Sequence, residues 1–351
     1  MSKLTRLELG SLVHHTGLVD PKTALTLEHF FVDSRRDTEP RISCVIPVHN
    51  QETRILACLE GIAASCSETY EIITIVDNCS DQTIYRVRNW MEERVKYHRG
   101  STFVGGTIVE NRGPDFYETL CDNIGFSLSR AEIIIEIQAD MALDHPGFDS
   151  LFCQAFQEFP ELFAISGRGG HLHNFSEKRS VLRRRFSRWV ERIFDGLAKF
   201  RGEYRPSRIE YLLSDSIGRI GRRIDFPLAL PRCTQIFWTG TVMRGPLGLR
   251  NSGIRRLGML DSLNYFLGDD DHDLMYRART ELGMSVGYMP IKFSAPLEFG
   301  TMRSQKSAPQ RCEFDRLRAF YSQRQATLYE SRAPLPRPIK RVSRLETEAK
   351  I

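Results

Sequence analysis

Ile42-Ser43-Cys44-Val45-Ile46-Pro47-Val48-His49-Asn50-Gln51-Glu52 is the stretch that decides the fold. Its opening run is apolar and β-branched, as a strand buried on both faces must be, and polar residues follow at once. A proline at the strand's exit marks a turn at the sheet's edge, where backbone groups become free to meet a ligand. Residues 51–65 then place Ile55, Leu56, Leu59 and Ile62 on one helical face.

The same alternation continues outward. Apolar runs at 71–77, 104–109, 132–138 and 162–166 have strand length, and residues 81–94 read as a helix opened by Ser80 or Asp81 as N-cap. Strand and helix repeated in this way predict a mostly parallel α/β sheet covered on both faces. In such sheets ligands sit at the carboxyl ends of the strands, so the polar residues there are the ones to read for chemistry.

Around this frame the sequence divides into five parts: an N-terminal extension (1–40), a first α/β half (41–166), a basic, helix-like insertion without a strand run (167–233), a second half (234–300) and a polar tail (301–351). The second half is read as a strand at 234–243, a Gly-rich loop, an acidic cluster opening a helix, and a strand near 284–293. Ala333-Pro334-Leu335-Pro336-Arg337-Pro338 cannot build a core, so the tail is expected to be extended or disordered.

The chain has 351 residues, ample for a sizeable core, and its eight cysteines form no C-x-x-C pair, which argues for a reducing, cytoplasmic setting. No signal-like N-terminus is seen, nor any run of roughly 18 to 20 apolar residues, so membrane spans are not expected. The formal charge of +5 is modest, with basic residues gathered at 178–208 and 332–344. These read as solvated faces or ends, with peripheral contact to an anionic membrane face as the second reading. The insertion lacks the interleaved aromatics of a nucleic-acid binder. No internal repeat is present, no G-x-G-x-x-G follows the first strand, and no P-loop occurs, which argues against dinucleotide oxidoreductases and P-loop enzymes. A nucleotidyltransferase would need a Gly-rich basic loop where this chain has Pro47-Val48-His49-Asn50.

Three stretches carry chemistry. Val76-Asp77-Asn78-Cys79-Ser80-Asp81 brings carboxylate and amide groups to a strand's end, where Asp77 can accept from a ribose or base and Asp81 can cap the next helix. Glu132-Ile133-Ile134-Ile135-Glu136-Ile137-Gln138-Ala139-Asp140 runs an apolar strand into a single carboxylate. One such group can suffice for a hard divalent cation that takes its other oxygens from phosphate and water, and a turn residue is the alternative. Asp269-Asp270-Asp271-His272-Asp273 crowds carboxylates together. Crowding raises at least one pKa and suits a general base, while a helix N-terminus favoured by its dipole explains part of the cluster.

In order and spacing, these motifs and Val45-Ile46-Pro47-Val48-His49-Asn50 resemble the family 2 glycosyltransferases of GT-A fold, over residues 41–301. The resemblance implies a Rossmann-like mixed sheet flanked by helices and an inverting, metal-dependent transfer of sugar from a nucleotide-sugar, with UDP favoured, to a glycan or lipid-linked acceptor. It further implies that Pro47, His49, Asn50, Glu52, Asp77 and Gln138 hold the donor nucleotide, and that Asp140 holds Mg2+ or Mn2+, with His272 as a further candidate ligand. Asp271 is implied as the base with Asp270 beside it, and Arg244, Gly245 and Pro246 as part of an acceptor-side loop. Two departures stand out: Gln138 replaces the first acid of Asp-x-Asp, and Asn78 replaces the second acid of the nucleotide motif. The lost acid leaves a non-catalytic binding module as the alternative.

Overall fold

The structure is a computed structural model that describes residues 3–8, 24–97, 101–169, 200, 203–204, 219–223, 236–239, 241–266, 268, 270–289, 291–296 and 308–331. At its centre lies β3 (Ile42–Val48), whose seven residues are all buried. It pairs in parallel with β4 (Tyr70–Asp77) on one side and β6 (Ile133–Glu136) on the other, and β4 pairs in parallel with β5 (Phe103–Asn111). The right-hand half reverses direction: β12 (Val242–Arg250) runs antiparallel to both β6 and β8 (Leu162–Gly169), and β13 (Ser285–Tyr288) runs parallel to β8. With β1 (Lys3–Glu8), β2 (Ala24–Phe31), β10 (Arg219–Arg223) and β11 (Phe237–Thr239), the sheet has eleven strands in the order β1-β2-β5-β4-β3-β6-β12-β8-β13-β11-β10. A small second sheet holds β7 (Ala142–Leu143), β14 (Phe293–Pro296) and β9 (Glu203–Tyr204).

Period-two alternation sorts the strands' side chains between two cores. Ile42, Cys44, Ile46 and Val48 of β3 pack with the buried faces of α1 (Ile55–Ser65), α2 (Thr83–Lys96) and α4 (Phe148–Glu158). Val45, Ile73, Ile75 and Ile134 pack on the opposite face with α3 (Tyr117–Leu128), α5 (Asn251–Leu257) and α6 (Asp270–Glu281). Helix α3 lies so close to the sheet that a Cβ at Gly125 would stand 2.3 Å from Val45 Cγ1, so only glycine lets the helix settle there.

Several sequence expectations change. The supposed N-terminal extension supplies β1 and β2; β2 pairs with β5, and its Leu25 and Leu27 are buried. In the insertion, residues 167–169 finish β8, while 203–204 and 219–223 form strands where none was expected; the helical reading of the rest lies outside the described residues. The Gly-rich loop expected after Met243 is the continuous strand β12. The tail carries α7 (Ala308–Ser331), a helix rather than extended chain, whose Phe314, Leu317 and Tyr321 recur at helical spacing and bury against Tyr117 and Phe266. The Pro-rich 333–338 segment and the basic run at 332–344 lie outside the described residues, as does most of the run at 178–208.

Candidate active site

Proline explains where the crevice opens. Val45 gives its carbonyl to Ile137 N (2.9 Å), so the backbone of odd-numbered β3 residues faces β6. Pro47 faces the same way with no N–H to offer, and its partner strand has already left: the β3 to β6 register ends at Val45 and Glu136. Both strand exits then turn on asparagine in the left-handed region, Asn50 at φ 49° and Asn78 at φ 44°.

The two exit loops brace each other. Asn50 Oδ1 accepts Ser80 N (2.8 Å), Glu52 N donates to Asp81 Oδ2 (3.0 Å), and Gln82 N donates to Glu52 Oε2 (2.9 Å). His49 is buried, with Nδ1 2.6 Å from the Asp77 carbonyl and Nε2 3.2 Å from Asn50 Nδ2. An amide N–H can only donate, so in this pairing His49 Nε2 accepts and Nδ1–H donates to the carbonyl. The N-cap of α2 is Gln82 rather than Ser80 or Asp81, yet Asp81 Oδ1 still accepts Thr83 N (3.0 Å) and so serves the capping role.

Asp77 points into the α3 face and is saturated. Its carboxylate accepts Asn111 Nδ2 (2.8 Å), Phe116 N (2.9 Å) and Tyr117 N (3.1 Å), anchoring the first turn of α3. Burial raises its pKa against the pull of those donors. Tyr117 takes φ 63°, a strained conformation for a bulky residue, held by that bond and by its ring packing on Phe266 and Phe314.

One residue further on begins a cluster of five acids around one guanidinium. Arg244 of β12 lies 2.6 Å from Glu118 Oε1, 2.7 Å from Asp122 Oδ2, 2.9 Å from Asp270 Oδ2 and 3.8 Å from Asp271 Oδ2. Glu136 is the fifth, buried in β6, and its carboxylate charge acts on Arg244. Burial opposes the guanidinium's charge, but the surrounding carboxylates outweigh it and hold the pKa well above the usual value. Arg244 is therefore the counterion of buried acids and stands on a strand rather than a loop; Gly245 and Pro246 are likewise buried within that strand. An irregular register between Met243 and Leu247, with Gly245 at φ 144°, turns Arg244 toward α3 and α6.

The acids differ in how they are held. Asp270 is fully buried and also accepts Thr119 Oγ1 (2.7 Å), whereas Asp271 is 8% exposed and accepts the backbone N–H of His272 (2.8 Å). Burial raises the Asp271 pKa, with His272 and Arg244 pulling it down. Asp273 leaves the cluster for an ion pair with Arg277 (2.7 Å), and Asp269 lies outside the described residues. His272 contacts Thr241 Oγ1 through Nδ1.

Gln138 donates from Nε2 to Glu118 (3.2 Å), and a turn closed by Met141 N to Gln138 O (3.0 Å) sets Asp140, half-buried, just beyond. The first turn of α3 thus joins Asp77, Gln138, Arg244, Asp270 and Asp271 at one sheet edge, with Asp140 two residues from Gln138. Among the described residues no three His, Cys, Asp or Glu side chains converge as a cation cage. Glu118, Asp122 and Glu136 escaped the sequence reading. Two signals for them existed: an i, i+4 acid pair, and a charge on the buried face of an apolar strand.

Comparisons with known proteins find partial likenesses. The undecaprenyl-phosphate 4-deoxy-4-formamido-L-arabinose transferase of Aeromonas hydrophila subsp. hydrophila is 29% identical over 103 residues, which cover 28% of this chain and 29% of that protein. Among solved structures, the Pyrobaculum calidifontis mannosyltransferase PcManGT in complex with GDP-Man and Mn2+ is 16% identical, with TM-score 0.43, covering 72% of this chain and 57% of that one. Residues 1–349 of S. aureus TarS in complex with UDP-GlcNAc are 12% identical, with TM-score 0.44, covering 76% and 62%. The chain thus spans less than two thirds of each of these relatives. Residues 43–108, from β3 through most of β5, match the family described as Glycosyl transferase family 2, and that segment lies at the heart of the mixed sheet.

Proposed function

We propose that the chain is an inverting glycosyltransferase that moves a sugar from a nucleotide-sugar, a UDP-sugar in the first instance, onto a hydroxyl of a glycan or lipid-linked acceptor. The observation that carries this reading is the contrast inside the acid cluster: Asp270 is sealed by Thr119 and Arg244, while Asp271 stands at the rim with its basicity raised by burial. A carboxylate so placed takes the acceptor's proton as the acceptor oxygen bonds to the sugar's C1. The bond from C1 to the diphosphate breaks with its electron pair going to the phosphate oxygen, and a single in-line displacement inverts the centre.

The braced loops of β3 and β4 support the donor's nucleotide through fixed backbone rather than through His49 or Asp77 as direct ligands, since those side chains are committed within the protein. The donor set fits Mg2+ or Mn2+ as the diphosphate's companion: Asp140 would hold the ion, with phosphate and water supplying the other oxygens. Such an ion, when bound, offsets charge on the leaving diphosphate. His272 is the further candidate ligand, and its Nδ1 contact with Thr241 would orient the ring. No helix among the described residues is long and apolar enough to cross a membrane, so a lipid-linked acceptor of the kind named for the Aeromonas relative would be met at the membrane surface.

Asp271→Asn tests the reading directly. Transfer from a UDP- or GDP-sugar should fall about 10³-fold with nucleotide affinity retained. Undiminished turnover would refute the base, and nucleotide binding without turnover by the wild-type chain would favour the binding-module alternative.

A further inference from the structure

Among the described residues, one carboxyl of the acid cluster has neither an ion pair with Arg244 nor a hydrogen bond. Glu136 is 1% exposed, and among the described residues neither of its oxygens has a hydrogen-bond partner. Val45 and Leu247 flank it across the sheet. The charged groups facing it are Glu118 and Asp122 from α3, Arg244 from β12, and Asp270 and Asp271 from α6. The two neutral side-chain donors nearby are spent elsewhere, Thr119 on Asp270 and Gln138 on Glu118. Arg244, the one cation in the cluster, is already within 2.9 Å of three carboxylates. A fifth buried carboxylate with neither a counterion nor a hydrogen bond is electrostatically untenable.

We propose that Glu136 is a positioning residue for the base: as the neutral acid it leaves Arg244 to Glu118, Asp122 and Asp270, and so keeps Asp271 anionic and correctly aimed at the rim. The deduction rests on Asp271 being the base. Burial, and after it the neighbouring carboxylates against Arg244, lift the Glu136 carboxyl to about 8. Below that value the cluster carries one negative charge fewer. Above it, ionised Glu136 competes for the guanidinium and repels Asp271, and the arrangement at the rim is lost. The folded chain keeps a proton that the unfolded chain gives up above the ordinary carboxyl value of 4.5. The contribution to stability is therefore fully present below 4.5 and is lost as pH rises through about 8.

Infrared difference spectra of the full chain test the protonation without any substrate. Among the buried carboxyls, wild type should show one protonated component at pH about 6 that disappears as pH passes about 8, and Glu136→Gln should lack that component. In transfer assays kcat should fall about tenfold across that range with KM for the donor unchanged, and in Glu136→Gln that inflection should vanish. A wild-type chain that shows no protonated carboxyl at neutral pH, or an inflection that survives in Glu136→Gln, overturns the proposal while leaving Asp271 as the base. Failure of wild type to transfer any sugar removes the base itself, and the role of Glu136 toward it falls too.

Discussion

The donor-side loops and the acid cluster sit at the same sheet edge and bury their charges in opposite ways. Asp77 receives three hydrogen bonds, and Asp81 and Glu52 exchange contacts with backbone across two loops, so each charge there is answered locally. The cluster instead sets five carboxyl groups against Arg244 alone. A fully answered charge fixes geometry, whereas an under-answered one stores proton affinity. The proposed transfer would use both: an immobile cradle for the leaving group and a carboxylate with unusual appetite for a proton.

The contrast can be broken most severely at Arg244. Arg244→Ala leaves four carboxylates without their counterion, and a loss of about 3 to 5 kcal/mol is expected in denaturant unfolding at neutral pH. Acidification should recover part of it by protonating the acids. Asp77→Ala strands three donors at the start of α3 and should cost about 2 to 3 kcal/mol with no such recovery, which separates a structural carboxylate from the titrating set. For Asp140→Ala the expected change is in binding: UDP affinity measured calorimetrically with Mn2+ should weaken about tenfold, and unchanged metal-dependent affinity would remove Asp140 from the donor site. The smallest effect belongs to Asp81→Ala, about 1 kcal/mol, for one lost cap and one lost brace.

What the sequence showed and what it hid follow from the range of the interactions. Strand β3, its proline exit and the carboxylate after β6 were legible because each depends on neighbours a few residues away. The setting of Arg244 was hidden because its partners lie on α3, β6 and α6, which contribute residues 118, 122, 136, 270 and 271. A glycine-bearing stretch reads as loop unless the strands beside it are known, so the local signal pointed to the surface while the register of β12 buried it. The tail helix was missed for a different reason: its apolar face is narrow, only Phe314, Leu317 and Tyr321 being buried within a polar segment.

Aromatic packing of α7 on Tyr117 also sets an order of events during synthesis. The donor-side loops close within residues 49–83, whereas the strained start of α3 gains its cover only when Phe314 has been made. A ribosome-bound chain can therefore brace its β3 and β4 exit loops early, while the acid cluster behind α3 waits for one of the last described segments to leave the exit tunnel.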